Sequence, residues 1–233
     1  MVTGNSRFTL LKTTWCQVQN IKNANDKMYV NQDQYEAMRQ TLAAKYPKIF
    51  PDGAWVGERG WYYIIDNLCS LIQNHVNHSR RVRARALYHN RALKSALAGD
   101  DTSLRMWVGN IETRPRRDDK RPLDVKWAEW VDTQVAKKIA AAKETGYSEP
   151  VPEAIEQVAV TEIKEKFGSM RFYYNGGDSV IEGFVSMAEA MSATTCGNCG
   201  AVGRIGGSGW LTCRCMPCSL GFTQLVPFDL EQK

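Results

Sequence analysis

The chain has 233 residues, of which 43% are hydrophobic and 24% charged, an ordinary composition for a soluble globular protein. Its longest apolar runs, such as residues 61–65, are far too short to span a bilayer, and its N-terminus lacks the pattern of a secretory signal. Seven cysteines, four of them at metal-binding spacing, fit a reducing interior better than a disulfide framework. We therefore expect a cytoplasmic protein without a membrane partner.

The formal net charge of +5 is unevenly distributed along the chain. Residues 79–121 contain twelve Lys or Arg and five Asp or Glu, which gives this segment a charge of +7 and leaves −2 for the remainder. A concentrated positive charge indicates a polyanionic partner more than a uniformly basic surface would. The alternative interpretation is a solvated helical face that binds nothing.

Residues 1–78 are predicted to form the N-terminal helical part of the core. After a possible strand at residues 8–11, a first helix begins at Asn31, where Gln34 completes a capping box, and ends before Pro47. A second helix begins near Gly60, after a turn at residues 51–53. Its apolar residues form one stripe at helical spacing, namely Trp61, Ile64, Ile65, Leu68, Ile72 and Val76.

The basic segment, residues 79–121, is predicted to be a helical and loop insertion. A helix ending near Gly99 carries one group of arginines, and a proline-containing loop carries a second basic group. Guanidinium groups bind phosphate oxygens in a forked geometry, and Tyr88 and Trp107 are candidate stacking faces for unpaired bases. We therefore predict contacts with DNA or RNA from Arg80, Arg81, Arg83, Arg85, Arg114, Arg116, Arg117, Lys120 and Arg121.

Residues 122–192 are predicted to complete the core with a helix, a hairpin and another helix. The first helix covers residues 123–142, and Gly146 stops it. The hairpin pairs residues 158–167 with 170–174, with a bulge or a helical turn at Ile163, where the alternation is imperfect. Asp178 caps the last helix, whose expected buried stripe consists of Val180, Ile181, Phe184, Val185, Ala188 and Met191.

Residues 193–233 are predicted to form a zinc ribbon and a tail. Cys196-x2-Cys199 and Cys215-x2-Cys218 are separated by fifteen residues, the spacing of two metal-binding knuckles. Four thiolates make a closed tetrahedral site for a structural Zn2+, without a position for water or substrate. Cys213 is then the spare cysteine, although a second pair formed by Cys213 and Cys218 stays open. Pro217 removes one N–H that could otherwise bond a ligand sulfur.

A glycine-rich stretch between the knuckles, residues 203–210, is predicted to be a flexible tip. It contains Arg204, Ile205 and Trp210 and is suited to touch nucleic acid or a protein groove. The alternative is that Trp210 packs on the ribbon. Taken together, the elements predict an α+β fold that is mainly helical, with a small antiparallel hairpin or sheet and a C-terminal zinc ribbon.

Two blocks of the sequence, which cover about half of the chain, carry a distinctive pattern. The first contains Tyr46-Pro47-Lys48-Ile49-Phe50, Gly60-Trp61, Asp66, Leu68 and Cys69. The second contains Lys164-Glu165-Lys166-Phe167-Gly168, Arg171-Phe172-Tyr173-Tyr174, Gly176-Gly177-Asp178, Ala188-Glu189, Ser192 and Cys196-x2-Cys199-Gly200. This pattern resembles a group of small uncharacterised proteins encoded by phages and prophages.

The resemblance implies a phage-related origin, hence a place in the host-cell cytoplasm, and it supports the zinc site. Members of the group often carry Cys-Gly-Asp-Gly-Trp where this chain has residues 57–61, and a His ligand where it has Cys218. The basic stretch between the blocks looks like an elaboration of the shared pattern. No particular activity is implied.

The sequence favours a non-enzymatic, nucleic-acid-binding accessory protein with a structural zinc ribbon. The alternative is an interaction protein that binds and inhibits or redirects a host protein complex, because arginine and exposed tryptophan serve protein interfaces equally well. An enzyme is disfavoured, since there is no base beside a nucleophile, no carboxylate pair at catalytic spacing and no phosphate-cradling glycine loop. Convergence of Glu58, Asp66, Glu162 and Glu165 in three dimensions stays open, as does the oligomeric state.

Overall fold

The computed structural model describes residues 32–51, 57–111, 127–207 and 209–219. The predicted strand at residues 8–11, the cap at Asn31 and the second basic group (Arg114, Arg116, Arg117, Lys120 and Arg121) lie outside the described residues. Within the described ranges, no helix is long and apolar enough to cross a membrane.

The predicted fold class is confirmed, since the described residues are mainly helical with two small antiparallel hairpins and a C-terminal cluster of four cysteines. The helices are α1 (Gln32–Lys45), α2 (Tyr62–Leu97), α3 (Thr102–Ile111), α4 (Trp127–Thr145) and α5 (Ser179–Ser192). The strands are β1 (Ala159–Lys166), β2 (Ser169–Asn175), β3 (Arg204–Gly206) and β4 (Thr212–Arg214). Short 3-10 turns cover Arg59–Trp61 and Pro217–Ser219.

The chain divides into two compact units, one of residues 1–73 with 157–233 and one of residues 74–156. The four segments predicted from the sequence stay a prediction. In the first unit, the predicted stripe on α2 is confirmed as core, because every member from Trp61 to Ile72 is at most 9% exposed. The Asp66 carboxylate accepts hydrogen bonds from the Tyr46 hydroxyl (2.7 Å) and from the Lys45 ammonium (2.6 Å). These bonds connect the end of α1 to α2.

The β1–β2 hairpin forms as predicted, but its two-residue turn is Phe167 and Gly168, one residue earlier than the predicted pairing of 158–167 with 170–174 implies, because Lys166 pairs with Ser169. The expected irregularity is present, but it lies before Ile163, since the register shifts between Val160 and Glu162. Ile163 itself pairs regularly with Phe172 and is fully buried, so its apolar side chain faces the core without a bulge. The prediction at Ile163 was therefore wrong in position: the extra residue is the exposed Thr161.

Side chains of α5 cover the outer edge of β2. The Ser192 hydroxyl accepts from the Met170 amide (2.7 Å), and the Glu189 carboxylate accepts from the Phe172 amide (2.9 Å). These bonds satisfy edge amides that a third strand would otherwise bond. On the other edge of the hairpin, the Val160 amide donates to the Ile49 carbonyl (2.8 Å).

The buried face of α5 differs in part from the predicted stripe. The cap is confirmed, since the Asp178 side chain accepts from the Ile181 amide. Ile181, Val185 and Ala188 are buried, but Val180 and Met191 are 45% and 49% exposed. The contact with the edge of β2 is the reason, because it turns Ser192 and Glu189 towards the strand and leaves Met191 on the outside.

The second unit is built from the rest of α2 with α3 and α4. Its core contains apolar residues of all three helices: Ala92, Leu93, Ala96, Leu104, Trp107, Val108, Val131, Val135 and Ala142. Helix α3 was not predicted from the sequence, and the prediction of Trp107 as a stacking face was wrong. Trp107 is only 6% exposed, because α3 places its ring against the buried His89 with centroids 4.3 Å apart.

Candidate metal centre and arginine face

The structure brings the four predicted ligands together. The sulfur atoms of Cys196, Cys199, Cys215 and Cys218 all lie within 4.8 Å of one another, and those of Cys199 and Cys215 are 3.5 Å apart. A tetrahedral ion with metal–sulfur bonds of about 2.3 Å requires sulfur–sulfur separations of about 3.8 Å. The four cysteines could therefore hold a metal ion after movements on the order of 1 Å. Among the described residues, this is the group of His, Cys, Asp or Glu side chains that meets the geometry of a metal site.

The first knuckle has the backbone geometry that supports thiolate ligands. Backbone N–H groups of Cys215, Cys199 and Asn198 act to lower the pKa of Cys196, and that of Ala201 acts in the same direction on Cys199. Gly200 follows with a φ of 79°, a conformation that glycine adopts without strain, and its amide donates to the Cys196 carbonyl (2.9 Å). The turn thus aims N–H dipoles at the sulfurs, which stabilises negative charge on them.

The second knuckle is built differently, because Pro217 has no N–H to offer. Pro217 begins the 3-10 turn, and the Cys218 amide donates to the Cys215 carbonyl (3.0 Å). The Asn198 side chain reaches across from the first knuckle, and its Nδ2 donates to the Cys218 sulfur (3.3 Å). One residue of the first knuckle therefore adds a hydrogen-bond donor to a sulfur of the second.

The thiols of the cluster differ in acidity. Burial raises the pKa of Cys199 and of Cys218. At Cys196, burial acts in the same direction, but backbone N–H donors outweigh it and lower the pKa to about 7. Cys196 is therefore the most readily deprotonated of these three ligands, and metal binding would release protons from the less acidic thiols of Cys199 and Cys218.

Cys213 stands apart from the four clustered cysteines. It is 1% exposed, and its thiol donates to the Ala193 carbonyl at 3.3 Å. Burial raises the pKa of this thiol to about 11, so it is protonated at neutral pH. Of the two pairings that the sequence left open, the structure places Cys215 with Cys218 in the cluster and Cys213 outside it.

A remote segment before α2 closes over the first knuckle, which the sequence analysis did not foresee. The Gly60 amide donates to the Gly197 carbonyl (2.8 Å), and Arg59 donates through Nε to the Asn198 carbonyl (2.5 Å). The Trp61 indole N–H donates to the Thr195 carbonyl (3.2 Å). We call residues 58–61 the clasp. The only signal in the sequence was the glycine at position 60, which the contact requires.

The clasp also neutralises charge beside the cysteines. Glu58 forms an ion pair with Arg214 (3.0 Å), and both side chains are mostly buried. This pair lies over Gly197, where a Cβ would approach Arg214 to 2.7 Å and Glu58 to 2.9 Å. Arg214 is thus paired with a carboxylate, while Arg204 is exposed on β3.

The predicted tip between the knuckles is partly ordered into the β3–β4 hairpin. Ile205 lies against Gly168 of the β1–β2 turn, where a Cβ would approach its Cγ2 to 2.8 Å. Trp210 does not pack into a core, since it is 73% exposed. Its indole N–H donates to the Glu165 carboxylate of β1 (3.1 Å). The predicted tip thus contacts β1 and its turn at both Ile205 and Trp210.

The first basic group lies on one continuous helix, α2. Arg80, Arg81, Arg85 and Arg91 are exposed, and we call these four residues the arginine face. Arg83 is half-buried and donates to the Pro152 carbonyl (2.5 Å), so it is engaged within the fold rather than facing outward. No Asp or Glu occurs between residues 67 and 99, a stretch that holds all three histidines of the chain. The carboxylates nearest in sequence are therefore more than a dozen residues before Arg80 and nine after Arg91.

The four carboxylates considered for catalysis have separate partners. Glu58 pairs with Arg214, and Asp66 with Lys45 and Tyr46. Glu162 pairs with Lys164 (2.5 Å), and Glu165 accepts from Gly168 and Trp210. Each carboxylate is thus engaged in a local structural contact of its own.

Comparisons with protein-family models, with curated proteins and with solved structures found no match.

Proposed function

We propose that the four cysteines bind a structural Zn2+. Thiolate ligands at tetrahedral spacing favour a soft or borderline metal over Mg2+ or Ca2+, which require oxygen ligands. A set of four protein ligands leaves no open position for a substrate, so the ion would hold the fold and would not act on a bound molecule. The ion would join the two knuckles, and through the first knuckle also the clasp.

We further propose that the chain is a phage-related, cytoplasmic, non-enzymatic accessory protein that binds nucleic acid through the arginine face. The observation that carries this proposal is the exposure of four arginines on one helix within a stretch that lacks any acidic residue. An arginine side chain in a structural role is usually paired, as Arg105 is with Asp101 (2.8 Å). Arg85 lies over the Trp107 ring (5.9 Å) and Arg91 donates to the Leu87 carbonyl (3.3 Å), but the same stretch of helix offers the four arginines no carboxylate, which favours phosphate as the partner.

The arginine face sets the kind of binding we expect. From Arg80 to Arg91 the helix rises about 16 Å, which matches the rise of about five base pairs of duplex. Phosphate contacts of this kind fix register and carry no sequence information by themselves. The proposed activity is therefore binding that depends strongly on salt and weakly on sequence, such as the coating or delivery of a nucleic acid.

Charge reversal at the arginine face tests this proposal. The variant with Arg80→Glu and Arg81→Glu should weaken binding of a labelled duplex at least ten-fold at low salt. Lys137→Glu with Lys143→Glu is the matched control, because both lysines are exposed on α4 of the same unit and the charge change is identical. Equal losses of duplex affinity in the two variants would mean that only the net charge of the protein matters. Unchanged affinity in the arginine variant would refute the proposed face.

A protein partner is the second candidate, and one observation favours it. Val82, Leu87 and Tyr88 are 37–41% exposed and lie among the arginines of α2. Tyrosine and arginine together are typical of interface hot spots. The substitution Leu87→Glu should weaken binding to a protein surface more strongly than it weakens binding to phosphates. A host complex retained from nuclease-treated lysate by the wild type but not by this variant would favour the second candidate.

A further inference from the structure

The turn of the β1–β2 hairpin holds an exposed aromatic residue in a strained conformation. Phe167 and Gly168 have φ angles of 53° and 82°, so both turn residues are left-handed. A two-residue turn of this kind favours Asn-Gly, because a bulky side chain is poorly tolerated in the left-handed region. Phe167 is nevertheless 73% exposed. Burial of its ring therefore offsets little of this strain within the described fold. This indicates that the ring serves to bind a partner and not to pack within the protein.

A second exposed aromatic residue is fixed to the same turn. One oxygen of Glu165 accepts from the Gly168 amide (2.6 Å), and the other accepts from the indole N–H of Trp210 (3.1 Å). Ile205 packs on Gly168 from the β3–β4 hairpin. The Glu165 carboxylate thus anchors the Phe167 turn and orients the Trp210 ring, which is 73% exposed. The same carboxylate therefore connects the turn that carries Phe167 with the side chain of Trp210.

A cationic side chain accompanies the turn. Lys166 immediately precedes Phe167 and is exposed. The Glu165 carboxylate at this turn is already engaged by two N–H donors. Exposed rings with an adjacent cation are the arrangement that binds unpaired nucleotides, since the rings stack on bases and the cation contacts the phosphates. An apolar protein pocket would select against this flanking charge.

We propose that Phe167 and Trp210 form a stacking platform for the bases of single-stranded nucleic acid, with Lys166 contacting its phosphates. Stacking of this kind tolerates any base sequence, because every base presents a π-face. The platform extends the proposed nucleic-acid binding to unpaired strands and uses residues of the other compact unit, separate from the arginine face.

The test compares strands with and without bases. Fluorescence anisotropy would measure binding of a labelled oligothymidylate of about twelve nucleotides and of an abasic strand of equal length. The wild type should bind the strand with bases more tightly, while a phosphate-only contact would not distinguish the two. Wild-type protein that binds both strands equally, or neither, overturns the proposal. An oligouridylate arm shows whether the platform prefers RNA or DNA.

Two variants separate a binding role from a structural one. Phe167→Asn suits the turn better than the native residue, so it should preserve or raise the melting temperature while it weakens oligothymidylate binding roughly 5- to 150-fold. Trp210→Ala should weaken binding by a similar factor. Tyr63→Ala, at a residue 66% exposed on α2 in the same unit, is the control and should bind as the wild type does. Unchanged binding in both Phe167→Asn and Trp210→Ala refutes the platform.

These outcomes are distinguishable from failure of the arginine face. Duplex DNA offers no unpaired bases, so duplex binding should respond to Arg80→Glu with Arg81→Glu and stay unchanged in Phe167→Asn. A protein that binds oligothymidylate through its bases but does not bind duplex would support the platform and refute the arginine face. The reverse result would refute the platform alone.

Discussion

Gly60 and Cys196 are in direct backbone contact, although most of the chain separates them. A Cβ at position 60 would lie 2.1 Å from the Cys196 carbonyl oxygen and 2.7 Å from the Gly200 nitrogen. The Gly60 carbonyl in turn lies 3.0 Å from the position that a Cβ of residue 200 would take. The first knuckle and the clasp are therefore packed backbone against backbone, and only glycine fits at the contact.

Replacement of Gly60 by alanine should separate the clasp from the knuckle. Because the obstructing atoms belong to the backbone, we expect a loss of about 2 kcal/mol or more in the free energy of unfolding and weaker metal retention. Gly183→Ala is the control, since no atom lies within 4 Å of a Cβ there and alanine favours a helix by about 0.5–1 kcal/mol. Chemical denaturation would measure both variants. A neutral Gly60→Ala would show that the clasp is not packed as described.

The roles of the five ribbon cysteines can be separated with cobalt. Co2+ bound by four thiolates should give an intense visible spectrum in the wild type and in Cys213→Ala, because Cys213 lies outside the cluster. Cys218→Ser should weaken metal binding and change the spectrum, because it removes one thiolate ligand. If Cys213→Ala changed the spectrum as much as Cys218→Ser did, the assignment of the ligands would be wrong.

Asn198 should tune metal affinity without being a ligand. Loss of its bond to the Cys218 sulfur should weaken metal binding about 10- to 100-fold in Asn198→Ala. The cobalt spectrum should keep its four-thiolate character, which distinguishes a positioning residue from a ligand. Competition with a chromophoric chelator gives the affinities. Asn67→Ala, at an exposed position of α2, should have wild-type affinity.

The cover that α5 provides for β2 predicts a stability difference between two serines. Ser192 is fully buried and accepts from the Met170 amide, so Ser192→Ala leaves a buried N–H unsatisfied and should cost about 1–3 kcal/mol. Ser186→Ala, on the exposed side of the same helix, should change stability by less than about 0.5 kcal/mol. Urea unfolding of the two variants measures the difference. Equal stabilities would mean that the edge amide finds another partner.

The sequence was most informative where local pattern and local structure coincide. The Cys-x2-Cys pairs, the β1–β2 hairpin and the stripe on α2 each depend on residues close in the chain, and all three are present. The same holds for Asp178, which caps the helix that it immediately precedes.

Contacts between distant segments could not be predicted from the sequence. Nothing near Glu58 indicates that Arg214 is its partner, and nothing near Asn198 indicates a bond to Cys218. Helical periodicity placed Met191 in the core of α5, but hydrogen bonds to the strand edge turned Ser192 inward instead. Trp107 was similarly assigned from its basic neighbours in sequence, whereas burial of α3 determined its place.

A salt titration of duplex binding by the zinc-loaded, nuclease-treated wild type tests the central claim most directly. If all four members of the arginine face contact phosphates, the logarithm of the binding constant should fall with the logarithm of salt concentration with a slope of about −3.6. Arg80→Glu with Arg81→Glu should reduce the slope by about 1.8, since two contacts are lost. No binding at low salt, or an affinity that salt leaves unchanged, would contradict the proposal that this protein binds nucleic acid through its arginine face.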